Sequence, residues 1–377
     1  MPGVDASNGA PAILDKDGLG QLIAALRTKG YRVVGPRSAD GAIVYDDIDG
    51  IEDLPAGLGD ETEGGRYRLR KRTDGALFGY TLGAQGWKRF LYPPRQRLFA
   101  ARRQGAGFQV EAEEAAEAPM AFLGPRACEL AAIALQARVF GDKTFPDPGY
   151  QTRLAAAFVV AVECGAAAST CFCASMGTGP EVTSGHDIRL LEVKGQRFLA
   201  EAGSDRGREV LAGLSLSAPT VADLKMVAAA RKAARAGQGR VLDRDTAAAL
   251  QSMPDHPRWD DVAARCLSCG NCTMVCPTCF CTTVEDVTDL SGDHAERWRK
   301  WDSCFSVEFS YIHGGAVRTE AKSRYRQWIT HKLSTWADQF GSSGCVGCGR
   351  CITWCPVGID ITAEVAAIAA TRKGTQG

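Results

Sequence analysis

Two short cysteine-rich runs carry the clearest chemistry in this chain. The first run, Cys266 to Pro277, reads CLSCGNCTMVCP, and the second run, Cys345 to Pro356, reads CVGCGRCITWCP. Both have the spacing Cys-x2-Cys-x2-Cys-x3-Cys-Pro, which is typical of thiolates that bind [4Fe–4S] clusters. Electron transfer is therefore the first function that the sequence predicts.

The spacing also predicts how these thiolates divide between two clusters. Three closely spaced cysteines can bind one cubane, whereas the fourth cysteine of each run typically binds the cluster of the other run. We therefore expect a first set of ligands at Cys266, Cys269, Cys272 and Cys355. The second set is Cys276, Cys345, Cys348 and Cys351. Zinc is the alternative metal, but structural zinc sites usually take cysteines as separated pairs.

Four further cysteines, which we call the N-terminal quartet, follow two predicted strands of one α/β unit. They are Cys128, Cys164, Cys171 and Cys173. The carboxyl ends of parallel strands share one edge, so these thiols could converge there, and a helix N-terminus at Cys128 favours its thiolate. Three interpretations remain open: a third [4Fe–4S] cluster, a redox or partner-binding surface near a flavin, and cysteines that pack as small apolar side chains.

The remaining cysteines form what we call the accessory trio: Cys279, Cys281 and Cys304. We expect them to lie around a cluster, with replacement of an assigned ligand as the alternative. His313 precedes two glycines and could approach a cluster, although a surface position is the simpler interpretation. Arg350 lies inside the second run, where a cation should stabilise the reduced state of a cluster.

Length and charge limit the class of protein. The chain has 377 residues, enough for two or three domains. Lys and Arg total 44, as do Asp and Glu, whereas a nucleic-acid-binding protein normally has a basic excess. We read neither a signal peptide nor an apolar stretch as long as a bilayer span, and therefore expect a soluble cytoplasmic protein with reduced thiols.

The elements that position the cysteines divide into two parts. We predict an α/β domain with a partly parallel sheet at 1–236, a linker at 237–262 and an α-helical, two-cluster, ferredoxin-like domain at 263–377. A helical insertion at about 282–340, with helices at 295–304 and 323–340, separates the two runs. Such an insertion indicates either a subunit that docks in a larger assembly or a layer that covers the clusters.

Periodicity and turn residues predict the elements of the α/β domain. Helices are expected at Leu19–Leu26, before Gly30, at 128–140, and from a Thr220/Asp223 capping box to Ala236. Strands are expected at 31–34, 41–45, 67–72, 77–82, 120–124, 153–164, 187–193 and 196–202. Basic residues around Trp87, Phe90 and Tyr92 are interpreted as a solvated sheet face, with an anion site as the alternative.

Five segments resemble the β subunits of cytoplasmic sulfhydrogenases, which are NAD(P)-linked bidirectional [NiFe] hydrogenases. The same segments resemble the electron-transfer subunit of anaerobic sulfite reductase. They are GPRACELAAI at 124–133, CGAAASTCFCASMGTGP at 164–180, CLSCGNCTMVCPTCFC at 266–281, RWRKWDSCF at 297–305 and CVGCGRCITWCP at 345–356. The segments CFCASMGTGP and WDSCF are more specific than the cysteine runs, and the resemblance covers most of residues 120–377.

The resemblance implies an electron-transfer subunit of an oxidoreductase complex, with no complete active site of its own. Its implied partners are a subunit that binds flavin and NAD(P) and the small and large subunits of a [NiFe] hydrogenase. The catalytic subunit of a sulfite reductase is the alternative terminal partner. The sequence has no G-x-G-x-x-G fingerprint, which agrees with a flavin on the partner subunit. A different class of function, in which clusters only stabilise a fold, also remains open.

Overall fold

A computed structural model describes residues 10–81, 83–112 and 118–374. The strands within these residues are β1 (Ala12–Leu14), β2 (Arg32–Ala39), β3 (Ala42–Asp47), β4 (Leu58–Glu63), β5 (Arg66–Lys71), β6 (Arg95–Gln104), β7 (Gly107–Ala112), β8 (Met120–Leu123), β9 (Phe158–Val162), β10 (Ile188–Val193), β11 (Arg197–Ala202), β12 (Thr282–Thr288), β13 (His294–Trp301), β14 (Tyr311–Ile312) and β15 (Gly315–Ala316).

Helices of very different lengths connect and cover these strands. They are α1 (Lys16–Thr28), α2 (Lys88–Leu91), α3 (Ala127–Phe140), α4 (Pro148–Ala156), α5 (Cys173–Met176), α6 (Asp205–Ala212), α7 (Val221–Ala236), α8 (Arg244–Ala248), α9 (Arg258–Arg265), α10 (Asn271–Met274), α11 (Ala321–Thr330), α12 (Trp336–Phe340), α13 (Arg350–Thr353) and α14 (Ile361–Gly374). A π-helical turn, His331–Thr335, joins α11 to α12.

The N-terminal half is built on a mixed sheet with the strand order β1-β11-β10-β9-β8-β2-β3. The four central strands, β10, β9, β8 and β2, run parallel, and antiparallel strands close both edges. Every residue of β8 and β9 is buried, as expected for parallel strands that are covered on both faces. The predicted partly parallel α/β fold is therefore confirmed for this half of the chain.

Helix predictions based on periodicity and capping hold for α1 and α7. Asp15 caps α1 by accepting a hydrogen bond of 2.8 Å from the Gly18 amide, and the predicted apolar stripe of this helix is buried. Helix α7 begins at the Thr220/Asp223 capping box and ends at Ala236. The hairpin of β10 and β11 also forms where it was expected.

One predicted strand of this half was too long, and another was wrong. The segment 153–164 is divided between α4 and β9, because Asp147 caps the helix and Pro148 begins it. The segment 77–81 forms no strand, and Leu82 lies outside the described residues. The Glu192 carboxylate accepts hydrogen bonds from the amides of Leu77 and Phe78 at 2.7 and 2.8 Å, which replaces strand pairing there.

A second sheet joins the two halves of the chain, with the order β12-β13-β6-β7. Strand β13 lies in the predicted helical insertion, but it pairs antiparallel with β6 of the N-terminal half. The expected helix at 295–304 was therefore wrong, and the insertion is part strand and part helix. The residues are good helix formers, but pairing with a strand about two hundred positions away in sequence overrides that local preference.

The rest of the chain packs around the cysteine runs. Helices α8 and α9 lie mostly within residues 237–262, which were predicted as a linker between two domains. The bounds of the two domains stay a prediction. An aromatic and aliphatic core that includes Trp259, Tyr325, Trp328 and Ile352 lies beside both runs. The predicted helical segment 323–340 is confirmed as α11, the π-helical turn and α12. In the described part of the chain, no helix has the length and apolarity needed to cross a bilayer.

The central sheet should depend strongly on Phe122 of β8, which is fully buried. Phe122→Ala should lower the free energy of unfolding by about 3–5 kcal/mol because it leaves a cavity. Phe108→Ala is the matched control, since the Phe108 side chain is 56% exposed. Urea unfolding under anaerobic conditions measures both. Equal midpoints for the two variants would contradict the assigned core.

Candidate metal centre

The two cysteine runs adopt the same local backbone. Ser268 and Gly347, each two residues after the first cysteine of its run, have φ of 50° and 64°. Gly270 and Gly349, two residues further on, have φ of 71° and 73°, and each precedes one helical turn, α10 or α13. The left-handed conformation is the one that glycine adopts at little cost. The sequence repeat is thus also a structural repeat.

In both runs this backbone turns an amide toward sulfur. The Ser268 amide donates to Cys266 Sγ at 3.4 Å, and the Gly347 amide donates to Cys345 Sγ at 3.4 Å. The Ile359 amide donates to Cys355 Sγ at 3.3 Å. Such donors stabilise thiolates and tune the potential of an iron–sulfur cluster.

The predicted first set of cysteines surrounds one cavity. The cavity is lined by Cys266, Cys269, Cys272 and Cys355, and also by Cys351 of the second set and by apolar side chains that include Phe305 and Trp328. Burial raises the pKa of the Cys272 thiol, and the neighbouring thiolates of the same set raise it further. Cys355 of the second run thus lies with the cysteines of the first run, and this donor set fits a [4Fe–4S] cluster.

The predicted second set is also gathered across the two runs. Burial raises the pKa of the Cys351 thiol, and the neighbouring thiolates of Cys345, Cys348 and Cys276 raise it further. Among the described residues, no group of three or more His, Cys, Asp or Glu side chains could hold a metal ion directly. The ligands of a [4Fe–4S] cluster need not meet at one ion, because each thiolate binds a different iron atom.

Lys332, which the sequence analysis did not single out, contacts the second set. It lies in the π-helical turn and is 2% exposed. Its Nζ donates to Cys276 Sγ at 3.3 Å, to Thr278 Oγ1 at 3.0 Å and to the Gly344 carbonyl at 3.2 Å. Burial lowers the pKa of Lys332, but the neighbouring Cys276 thiolate outweighs burial and holds that pKa well above its usual range. π-Helical turns are often found at functional sites.

Arg350 is buried beside the second set, but its charge is paired. Its Nη2 donates to Glu129 Oε1 at 2.7 Å, and its Nε donates to the Gly83 carbonyl at 2.8 Å. Both side chains of the ion pair are 1% exposed. Glu129 therefore offsets the positive charge of Arg350, which was expected to stabilise the reduced state of a cluster. Lys332, by contrast, contacts a sulfur atom directly.

The N-terminal quartet converges in space, as the topology of the sheet suggested. Cys128 and Cys173 are buried in one apolar cluster, and Cys348 of the second set packs against it. Burial raises the pKa of the Cys171 thiol, and its thiol neighbours Cys164, Cys173 and Cys348 raise it further. Burial also raises the pKa of Cys128, so the thiolate expected from the helix dipole is not favoured in the metal-free chain.

The loop that carries Cys171 and Cys173 lies directly on the second run. The Phe172 amide donates to the Gly347 carbonyl at 2.9 Å, and Thr178 Oγ1 donates to the Val346 carbonyl at 2.7 Å. A Cβ atom at Gly347 would lie 2.7 Å from the backbone of Cys173, so only glycine allows this close approach.

The accessory trio also contacts the second set, through Cys279. Cys279 contacts Cys276, and the thiols of Cys281 and Cys304 contact each other. His313 is exposed in the turn between β14 and β15, which agrees with a surface position. The solvated-face interpretation of the basic segment was wrong near Trp87 and Tyr92, which are buried with Lys88.

Lys332→Met should lower the midpoint potential of one cluster. The substitution removes the cation that contacts Cys276 Sγ, so the reduced state loses stabilisation; we expect a shift of about 60 mV or more. Redox titration followed by EPR measures it. Lys322→Met, on helix α11 with a partly exposed ion pair to Asp260, is the matched control and should leave every potential unchanged. An identical result for the two variants would contradict the role of Lys332.

Comparison with known proteins agrees with this geometry. A family model described as a 4Fe-4S dicluster domain matches residues 265–359, which contain both runs. Sulfhydrogenase 2 subunit beta of Pyrococcus furiosus is 30% identical to the chain over 282 residues, which cover 73% of this chain and 82% of the relative. The chain is therefore an iron–sulfur protein of the sulfhydrogenase β-subunit family.

Proposed function

We propose that the chain is the electron-relay subunit of a multi-subunit hydrogenase and has no complete active site of its own. Within this proposal, the first and second sets of cysteines each hold one [4Fe–4S] cluster, with Cys355 and Cys276 as the exchanged ligands. When bound, such clusters take up and release electrons one at a time, at potentials within roughly −700 to +450 mV.

The observation that carries this proposal is the continuity of the cysteine sets. The second set shares the buried core with the first set, since Cys272 and Cys351 both pack against it. The N-terminal quartet in turn contacts the second run, where the Phe172–Gly347 hydrogen bond joins its loop to that run and Cys348 packs against the cluster of Cys128 and Cys173. This line of thiols supports a relay better than it supports clusters that only stabilise a fold.

The N-terminal quartet is proposed as the site of a third [4Fe–4S] cluster. Gln238 Nε2 lies 3.1 Å from Cys173 Sγ and can donate to it. Arg126 is buried beside Cys164, where its charge favours the thiolate and partly offsets the effect of burial on the pKa of Cys164. These donors supply the compensation that buried sulfur needs, which a purely apolar role for the quartet would not require.

The first set is the proposed point of exchange with a partner subunit. Cys269 is exposed, and Leu267, between two ligands of the first run, has an exposed fraction of 63%. The proposed partners are a subunit that binds flavin and NAD(P) and the small and large hydrogenase subunits. The relative's name favours a hydrogenase over a sulfite reductase as the terminal enzyme. A cytoplasmic location is part of the same proposal.

Purification of the complex from its native host under argon tests this function. Both hydrogenase subunits and the flavin subunit should copurify, and the relay subunit should contain about twelve irons; about eight would contradict the cluster proposed at the quartet. Copurification with a sirohaem protein would contradict the hydrogenase role and would indicate a sulfite reductase as the terminal enzyme. Zinc in place of iron would overturn the relay altogether.

Exchange of ligands between the runs can be tested with two variants that each remove one cluster. In Cys266→Ser, the surviving ferredoxin-type cluster should be the one whose potential responds to Lys332→Met, because Lys332 contacts Cys276, the ligand proposed for the other cluster. In Cys345→Ser, the surviving cluster should be insensitive to that substitution. Redox titration of each single and double variant measures this. The opposite assignment would show that each run binds its own cluster completely.

A further inference from the structure

Two buried hydrogen-bond donors line the cavity of the first set and have no partner in the part of the chain that the structure describes. They are the Tyr325 hydroxyl and the Trp328 indole N–H, whose side chains are 2% and 4% exposed. A buried polar group without a hydrogen bond is costly. These donors therefore indicate an acceptor that belongs in the cavity beside them.

Helix α11 fixes these two side chains on one face. Tyr325 and Trp328 are three positions apart in the helix, so they are neighbours on its surface. Their rings contact each other with centroids 5.6 Å apart, and the centroid of the Trp259 ring lies 6.3 Å from that of Tyr325. The buried Arg324 donates to the Cys304 carbonyl at 3.1 Å, which ties the helix to the segment after β13. Aromatic packing therefore holds the Tyr325 ring in place.

The two donors differ in how specifically they belong to the first set. Trp328 also borders a second cavity, which the accessory trio lines, so its indole N–H does not single out one group of cysteines. Of these two cavities, Tyr325 lines that of the first set alone. The Tyr325 hydroxyl is thus the donor that identifies the first set as the place of its acceptor.

The surroundings of Tyr325 keep its hydroxyl protonated and leave it without another acceptor. Burial raises the pKa of Tyr325 well above its usual range, and the Glu364 carboxylate and the Cys272 thiolate raise that pKa further. The Glu364 carboxylate does not accept from Tyr325, and is bonded instead by Arg258 at 2.5 Å and Arg265 at 2.7 Å. The hydroxyl therefore remains a donor.

We propose that the Tyr325 hydroxyl donates a hydrogen bond to a sulfur atom of the cluster that the first set binds. The proposal rests on the proposed ligands of this cluster, but not on the hydrogenase role. A donor to sulfur favours the more negative, reduced state and so raises the midpoint potential. Tyr325 adds a side-chain donor to the amides of Ser268 and Ile359, which donate to Cys266 and Cys355.

Redox titration of the full chain, reconstituted anaerobically and followed by EPR, tests this donor. Tyr325→Phe removes only the hydroxyl. It should make the equilibrium constant for reduction of one cluster about 3–10 times smaller, which lowers the potential of a one-electron couple by about 30–60 mV. Tyr150→Phe is the matched control, since Tyr150 is 0% exposed and its hydroxyl donates to the Ile133 carbonyl at 3.3 Å. The control should leave every potential unchanged. An unchanged potential in Tyr325→Phe, or equal shifts in both variants, would overturn the proposal.

Variants that remove one cluster show which cluster the hydroxyl contacts. In Cys345→Ser, which removes the cluster of the second set, the shift caused by Tyr325→Phe should persist. In Cys266→Ser, which removes the cluster of the first set, that shift should disappear. The reverse pattern would assign the hydroxyl to the second set and would contradict the proposal.

A ring-fluorinated tyrosine, incorporated only at position 325, gives a test of opposite sign. Fluorine makes the hydroxyl a stronger donor while the ring keeps nearly the same shape, so the potential of the first-set cluster should rise. A role in packing alone predicts lower thermal stability of Tyr325→Phe with no change in any potential, and no change in potential after fluorination. That combination would overturn the proposal.

The two proposals fail in different ways. Absence of the ferredoxin-type EPR signals from the wild-type chain would defeat the relay itself. Normal signals, together with unchanged potentials in Tyr325→Phe, would defeat only the hydrogen bond.

Discussion

The hydrogen bonds of Lys332 hold together the part of the molecule on which the rest depends. One ammonium group joins Cys276 and Thr278, at the end of the first run, to Gly344, just before the second run begins. Thr278 Oγ1 also donates directly to the Gly344 carbonyl at 2.6 Å. This arrangement requires a buried cation beside thiols, and the cation is stable there only if sulfur carries negative charge. A cluster bound at Cys276 would keep this sulfur anionic, so metal binding should stabilise the fold at this point.

The N-terminal half extends this centre rather than standing apart from it. The β6–β13 pairing makes one sheet from distant parts of the chain, and the Glu129–Arg350 ion pair joins helix α3 to the second run. The loop of Cys171 and Cys173 completes the contact. Removal of one partner from a buried ion pair is costly, so the two halves should lose stability together. The same contacts fix the N-terminal quartet beside the second run.

Local patterns predicted a good part of this structure. The cysteine spacing indicated the two runs, and the structure brings Cys355 of the second run beside the cysteines of the first run; the division of the thiols into two ligand sets stays a prediction. The β10–β11 hairpin and the Thr220 capping box formed as expected, because each depends on neighbours in sequence. The parallel pairing of β8 and β9 joins more distant residues, but their continuous apolar residues were enough to indicate buried strands. The topology of the sheet was also enough to suggest that the N-terminal quartet converges.

Features that depend on distant contacts could not be predicted in this way. Strand β13 contains good helix formers, and only its pairing with β6 makes it a strand. Lys88 and Lys332 have the sequence context of surface lysines, although nearby tryptophans were a weak signal of burial. The expected pKa of Cys128 was wrong in direction, because helix dipoles are local whereas burial depends on the whole fold.

The central claim is that electrons pass through this chain between neighbouring proteins. Stopped-flow absorbance at about 400 nm, where thiolate-bound iron absorbs, tests it most directly when the anaerobic chain is mixed with NAD(P)H in the presence of its copurified flavin and hydrogenase subunits. The predicted result is rapid partial bleaching of the chain, followed by reduction of the hydrogenase subunits. A chain that dithionite bleaches, but that the flavin subunit with NAD(P)H leaves fully oxidised, would contradict the account.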